Sequence, residues 1–230
     1  MKKLLSLLLL TSAVLWAQEA AAPVPVDKEP MHHLFLENSY VKVYKVEVPA
    51  GGRTLLHQHD RDYLFVILGD ADITNARQGA PPVAQKLKDG DVAYAKGGFA
   101  HVAINNDVKK PFRNVTIEVM KEKPEANAAP AQQVVGAGMS STWMVDNERA
   151  HAEKIELEPG AAQPVHDHKV PHLVVFLTDG KMQNEVVGKA KKSVFEVKAG
   201  EVEWASETGF THALRNVGPE PVRWVMVEIK

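Results

Sequence analysis

The second half of this chain repeats the first, and that repeat constrains the fold more than any other feature. Leu36, Glu37 and Asn38 are answered by Val145, Asp146 and Asn147, and the run Gly51 through His59 by Gly160 through His168, both 109 positions on. Lys88, Asp89, Gly90, Asp91 and Val92 are answered by Lys198, Ala199, Gly200, Glu201 and Val202. Gly98, Phe99, Ala100 and His101 return as Gly209, Phe210, Thr211 and His212, and Pro111 through Glu118 return as Pro221 through Glu228. An offset that drifts only from 109 to 111 over five blocks marks two copies of one structural unit.

Each unit reads as β-structure. In the first, Val41, Val43, Tyr44, Val46 and Val48 form one strand and Tyr63 to Leu68 a second. Asp91 to Tyr94, Val102 to Ile104 and Asn114 to Val119 follow, with Gly51-Gly52, Gly69-Asp70, Asp89-Gly90 and Gly97-Gly98 as turns between them. Many short strands with no helical period predict an antiparallel sandwich or barrel. The expected units are residues 31–122 and 141–230. Residues 123–140, rich in Pro, Ala and Gly, read as a linker and residues 18–30 as a flexible lead-in.

Residues 1–17 carry Lys2 and Lys3, then an apolar stretch, then Ala17, the pattern of a secretory signal peptide; an apolar run of about 14 residues is short of the roughly 20 that span a bilayer. The expected location is therefore secreted or periplasmic. The formal charge of −2 gives no broad attraction to nucleic acid, and no membrane association is expected after cleavage of the signal. A small molecule is the expected partner, and homo-oligomers stay open. The absence of cysteine excludes disulfides, thiolate nucleophiles, iron–sulfur clusters and cysteine zinc sites, so a metal must be held by His, carboxylate, Tyr or amide groups.

Residues 160–172 carry His166, His168 and His172 at spacings of two and four, which on one extended strand would place three imidazoles on one face; His212 is a fourth candidate. Imidazole is the commonest metal ligand. The first copy has His57 and His59, with His101 returning on a separate strand. Gly51, His57-Gln58-His59 and Gly69, then Gly90, Gly98, His101 and Asn105, resemble the two cupin motifs. So do Gly160, His166-Asp167-His168 and Gly180, then Gly200, Gly209, His212 and Asn216. The chain from about Leu34 to Lys230 is thus similar to a bicupin. The resemblance implies an all-β fold of two tandem double-stranded β-helix (jelly-roll) barrels, each with a mononuclear metal. It implies His57, His59 and His101 as ligands in the first barrel, and His166, His168 and His212 in the second.

Both copies depart from the family where its Glu ligand should follow the His-x-His pair. The second has His172 there, which would complete a neutral four-imidazole sphere; a place behind the ligands or at the rim is the other reading. The first has Tyr63, whose parity is inward, and Asp62, which a bulge would bring inward instead; either is a candidate ligand or catalytic group. Such nitrogen-rich spheres suit Fe(II) first, with Cu, Zn, Ni or Mn behind it. The resemblance implies a metal-dependent, dioxygenase-like oxidoreductase acting on a small organic molecule. A cupin isomerase or lyase, and a non-catalytic binding or storage protein, are the alternatives. Tyr94 and Trp204 are expected to line the barrel interiors, Glu118 and Glu228 to be solvated strand ends, and His32, His33 and His151 receive no role.

Overall fold

The computed structural model describes residues 22–121, 133–206, 208–209 and 211–230. The expected signal peptide and residues 123–132 of the expected linker lie outside the described residues. Four sheets make two barrels. In the first barrel, one sheet has the order β1 (Val24–Pro25), β4 (His57–His59), β9 (Phe99–Asn105), β6 (Ala71–Arg77), β7 (Val83–Leu87). Its partner sheet has the order β2 (His32–Glu37), β3 (Val41–Val48), β10 (Phe112–Val119), β5 (Tyr63–Leu68), β8 (Val92–Ala95).

The second barrel repeats this order. One sheet runs β11 (Met139–Asp146), β12 (Ala150–Leu157), β19 (Val222–Ile229), β14 (His172–Phe176), β17 (Val202–Ala205). The other runs β13 (Ala162–Asp167), β18 (Thr211–Asn216), β15 (Gly180–Val186), β16 (Ser193–Val197). Apart from the parallel pair β1 and β4, the pairings among the described residues are antiparallel, many of them between strands far apart in the chain.

The central strands β10 and β19 are buried on both faces, and alternation divides their work. On β10, Phe112, Asn114, Thr116 and Glu118 face into the barrel, while Val115, Ile117 and Val119 face out. The outward faces of the two large sheets pack on each other through Val41, Val43, Leu64, Val66, Val115, Ile117 and Val119. Ala150, Ala152, Leu173, Val175, Val225, Val227 and Ile229 meet them from the other barrel. Every one of the first seven has its repeat counterpart among the second seven, so the interface is self-complementary, as in a two-fold dimer. Burying each branched side chain stabilises the pair of barrels by roughly 1.5–3 kcal/mol relative to exposure. Smaller clusters fill the barrels themselves, around Tyr44, Val46 and Phe112 in one and Ile155, Met182 and Trp224 in the other.

Two expectations about side chains change for this reason. Tyr94 and Trp204 pack against the cluster between the barrels and do not line the interiors, because the outer face of each sheet is also dry. The lead-in is ordered from Val24: β1 adds to the sheet edge beside β4, Val26 is buried, and Glu29 is 1% exposed. At the other boundary, β11 opens at Met139, inside the stretch read as linker.

Candidate metal centres

In the first barrel the register sets His57 on β4 directly opposite His101 on β9, and His59 two residues along the same face. Their rings lie close, with centroids 4.4 Å apart for His57 and His101 and 5.1 Å for His57 and His59. A fourth imidazole joins them. His32, at the start of β2, has its ring 4.7 Å from that of His57, and ligand atoms of His32, His57 and His59 all lie within 4.8 Å of one another, a group that takes in His32 and leaves the expected ligand His101 beside it. Nothing in the sequence singles out His32, because its repeat position is Ser141 and it precedes the first motif.

Each of the four rings is held by its Nδ1. That of His57 donates to the Leu55 carbonyl (3.0 Å), His59 to Glu118 (3.2 Å), His101 to the Asn75 side-chain oxygen (3.0 Å) and His32 to Glu29 (2.6 Å). An acceptor on Nδ1 fixes the tautomer and leaves Nε2 with its lone pair turned toward the cluster. The Nε2 atoms of His57 and His101 are buried without a hydrogen-bond partner, a costly arrangement for polar atoms unless an ion takes the lone pairs. Burial, then the neighbouring His32, pulls the His57 pKa down to about 4; burial, then His57, pulls His101 down to about 2. Burial lowers His32 as well. These imidazoles are neutral at pH 7 and able to ligate.

The second barrel holds His166, His168 and His212, whose ligand atoms also lie within 4.8 Å of one another. His166 Nδ1 donates to the Pro164 carbonyl (2.8 Å), His212 Nδ1 to Asn184 (3.0 Å), and His168 Nδ1 stands 3.6 Å from the Glu228 carboxylate. His168 Nε2 and His212 Nε2 are 3.2 Å apart. Two ligands each about 2.1 Å from one ion, at angles of about 90–110°, stand about 3.0–3.4 Å apart, so the spacing fits a shared metal. Burial, followed by His166, pulls His212 down to about 3.

Three expected site residues are placed differently. His172 is not on the strand of His166, β13, which ends one residue before His168: the chain bends after His168 and re-enters as β14 in the opposite sheet. There its ring stacks on His168, with centroids 3.8 Å apart and planes 22° apart, and it stands outside the triad. Tyr63 does the same to His59, at 4.1 Å and 22°. The position of the family's Glu is thus filled in both barrels by a ring that braces a neighbouring imidazole. Asp62 faces away from the cluster and holds a turn instead. Its carboxylate accepts from the Tyr94 hydroxyl (2.5 Å), Lys96 Nζ (3.0 Å) and the Gly97 amide (3.0 Å). Burial alone would raise its pKa, but these donors bring it below the usual carboxylate value.

Glu118 and Glu228, read as solvated ends, point into their own barrels as the carboxylates beside His59 and His168, where the barrel interior buries Glu118 and largely covers Glu228. His151 is buried edge-on against Trp143 and belongs to neither cluster. The cavities differ in size. The first, bounded by His32, His57, His59, His101, Tyr63 and Phe65, is about 50 Å³. The second is about 190 Å³, with His166, His168, His172 and His212 at one side and Phe176, Met182, Phe195, Trp224 and Met226 around the rest.

By sequence the chain matches no family model and no curated protein. By structure it is similar to a cupin 2 conserved barrel domain protein from Leptotrichia buccalis, with 14% identity, a TM-score of 0.55, and coverage of 86% of this chain and 87% of that one. It is similar to oxalate decarboxylase at 14% identity and a TM-score of 0.62, over 86% of this chain and 75% of the other. A Bacillus subtilis oxalate decarboxylase structure described for its Mn(II) centres is also similar, at 13% identity and a TM-score of 0.59, over 84% and 70%. AerE from Microcystis aeruginosa matches over 88% of this chain and 98% of its own, with 12% identity and a TM-score of 0.60. With two repeated barrels, paired sheets and a histidine cluster inside each, the chain has the cupin fold in its two-barrel form.

Proposed function

We propose that the chain is a metal-dependent oxidoreductase of dioxygenase type, with its chemistry in the second barrel and Fe(II) as the metal there. The observation that carries this reading is the His166, His168 and His212 triad beside a cavity of about 190 Å³. Bound by three neutral ligands, a divalent ion would keep its full charge and open positions, and would supply Lewis acidity and a common site for substrate and O₂.

The chain's own groups do the rest. The Pro164 carbonyl and Asn184 hold the His166 and His212 rings and the Glu228 carboxylate stands 3.6 Å from His168 Nδ1, while Phe176, Trp224 and Met226 give an apolar wall that excludes water. A dry apolar cavity of about 150 Å³ is enough to take benzene. The second cavity therefore suits a small molecule with about one ring, carrying oxygen atoms toward the triad. At about 50 Å³ the first cavity has no room for such a body, and its four imidazoles suit a metal held for structure.

A metal-dependent isomerase or lyase is the second reading, supported by the likeness to oxalate decarboxylase and the Mn(II) centres named for one such structure. Export of the chain belongs to the proposal too, and rests on residues 1–17.

Metal analysis of the full chain as purified, followed by oxygen uptake after anaerobic Fe(II) loading, tests the reading against a panel of small aromatic and enediol compounds. The expected result is uptake that His166→Ala abolishes and His57→Ala retains. Turnover under nitrogen would select the isomerase or lyase, and metal at trace level in both barrels would overturn both readings.

A further inference from the structure

The residues ahead of the first motif do more than cover a sheet edge. Val24 pairs with His57 in parallel register, and its amide donates to the Leu56 carbonyl (3.0 Å). Val26 then plugs the barrel interior, and the chain turns through a single 3₁₀ turn, Val26–Lys28, to Glu29. The Glu29 carboxylate is almost wholly buried and takes three donors: the Leu55 amide (3.1 Å) on one oxygen, and the Met31 amide (2.9 Å) and His32 Nδ1 (2.6 Å) on the other. Leu55 thus serves two imidazoles. Its N–H holds the carboxylate that orients His32, and its C=O holds His57 directly.

We infer that residues 24–32 form an arm fastened by metal at the first barrel, with Glu29 as the positioning residue that presents His32 to the ion. The inference rests on the reading of the first cluster as a metal site. The physical argument has two parts. A carboxylate on Nδ1 raises the basicity of an imidazole and fixes the direction of Nε2, and loss of such a partner commonly weakens metal affinity about 10–100-fold. The arm's other anchors are a two-residue strand pairing, the apolar side chains of Val26 and Met31, the Leu55 amide on Glu29, and the entry of Met31 and His32 into the pairing with β3. A bond from His32 to an ion shared with His57 and His59 therefore ties the arm to β4, and binding at the ion and docking of the arm must favour each other equally. In the second barrel Ser141 stands at the position of His32, so among the described residues that triad has no equivalent arm.

Co(II) is a suitable probe, because its visible spectrum reports ligand number and kind. In full-length protein carrying His166→Ala and His212→Ala, Co(II) reports the first barrel alone. Glu29→Gln, which keeps the side chain's shape, should weaken Co(II) binding about 10–100-fold, and His32→Ala at least as much, with a changed spectrum. Hydrogen exchange gives an independent readout: Co(II) should slow exchange of the Val24 and Leu55 amides at least about tenfold, and should not do so in His32→Ala. Unchanged affinity and spectrum in both variants, or exchange at 24–32 indifferent to Co(II), overturns the arm while leaving a metal site in place. Failure of the first barrel to bind Co(II) with the arm unaltered overturns the metal reading itself.

Discussion

Two adjacent glycines at the rim of the first barrel are required for opposite reasons, and substituting each in turn tests the geometry around His59. A Cβ on Gly97 would stand 2.5, 2.6 and 2.8 Å from the carbonyl carbon, oxygen and nitrogen of Arg61. These are backbone atoms, so no side chain can rotate away and the loop between β4 and β5 has to part from Gly97. Overpacking of this kind costs about 1–3 kcal/mol. The hydrogen bond from the Gly97 amide to the ionised Asp62 is stretched as well, at about 1.5–3 kcal/mol. Together Gly97→Ala should cost about 3–5 kcal/mol. Gly98 has a φ of +86° with no atom within 4 Å of its Cβ position. Gly98→Ala should therefore cost only the left-handed backbone penalty, about 1–2 kcal/mol, and Gly98→Asn less, since Asn adopts that region more readily. Urea unfolding of the metal-free chain measures both from the shift in midpoint at unchanged m. Equal losses for the two alanine variants, or Gly98→Asn no better than Gly98→Ala, would refute the argument.

The remaining predictions concern coupling, pH and the stacked rings. All four tyrosines, Tyr40, Tyr44, Tyr63 and Tyr94, lie in the first copy, and Trp143, Trp204 and Trp224 lie in the second; Tyr40 and Trp204 meet across the interface, so Tyr44 and Tyr63 inside the first barrel and Trp224 inside the second are the separate optical probes. Because one cluster joins the barrels, tyrosine and tryptophan signals should give a single urea transition; two separated midpoints would show that the shared face does not couple them. Burial lowers His57 to about 4, His101 to about 2, and His172 and His212 to about 3, while the unfolded chain titrates them near 6.5. Their contribution is complete above about pH 6.5 and is lost as pH falls through the folded values, at about 1.4 kcal/mol per imidazole per pH unit. Urea midpoints in EDTA should hence drop steeply from pH 7 to 5, and a flat profile would contradict neutral burial. His172→Ala and Tyr63→Phe should leave metal content unchanged, since both rings stack beside ligands; loss of one equivalent in His172→Ala would restore it to the ligand set.

Much of the architecture was legible because the repeat supplies its own check. A strand such as Tyr63 to Leu68 is only a short apolar run alone, but its echo at β14 gives it a place in a sheet. Where the echo fails, reading the sequence fails with it. His32 has Ser141 as its counterpart and lies outside the motifs, so only the pairing of β2 with β3 brings it to the cluster. His172 kept the right parity with His166 and His168, yet parity holds within one strand, and the bend at Lys169 and Val170 carries the chain to another sheet. Glu118 and Glu228 sit near the ends of their runs, where solvent is the usual neighbour; the closed interior of their own barrel, beside His59 and His168, is what screens them. In each case the missing information was which sheet a residue joins, set by contacts far along the chain.

The two-residue period of β10 and β19 has a consequence for how such a chain can change. Assembly is written on one side of each strand and chemistry on the other, so a substitution alters one without touching the other. The two copies bear the marks of that separation. Across the shared face the counterparts stay apolar, as in Leu64 and Leu173, Val66 and Val175, or Val119 and Ile229. Inside the barrels they have parted: His32 faces Ser141, Tyr44 faces Glu153, and Tyr63 faces His172 across the repeat. A duplicated barrel bound to its twin in this way can give one interior over to a new reaction while the other, still closed around four imidazoles, keeps the pair standing.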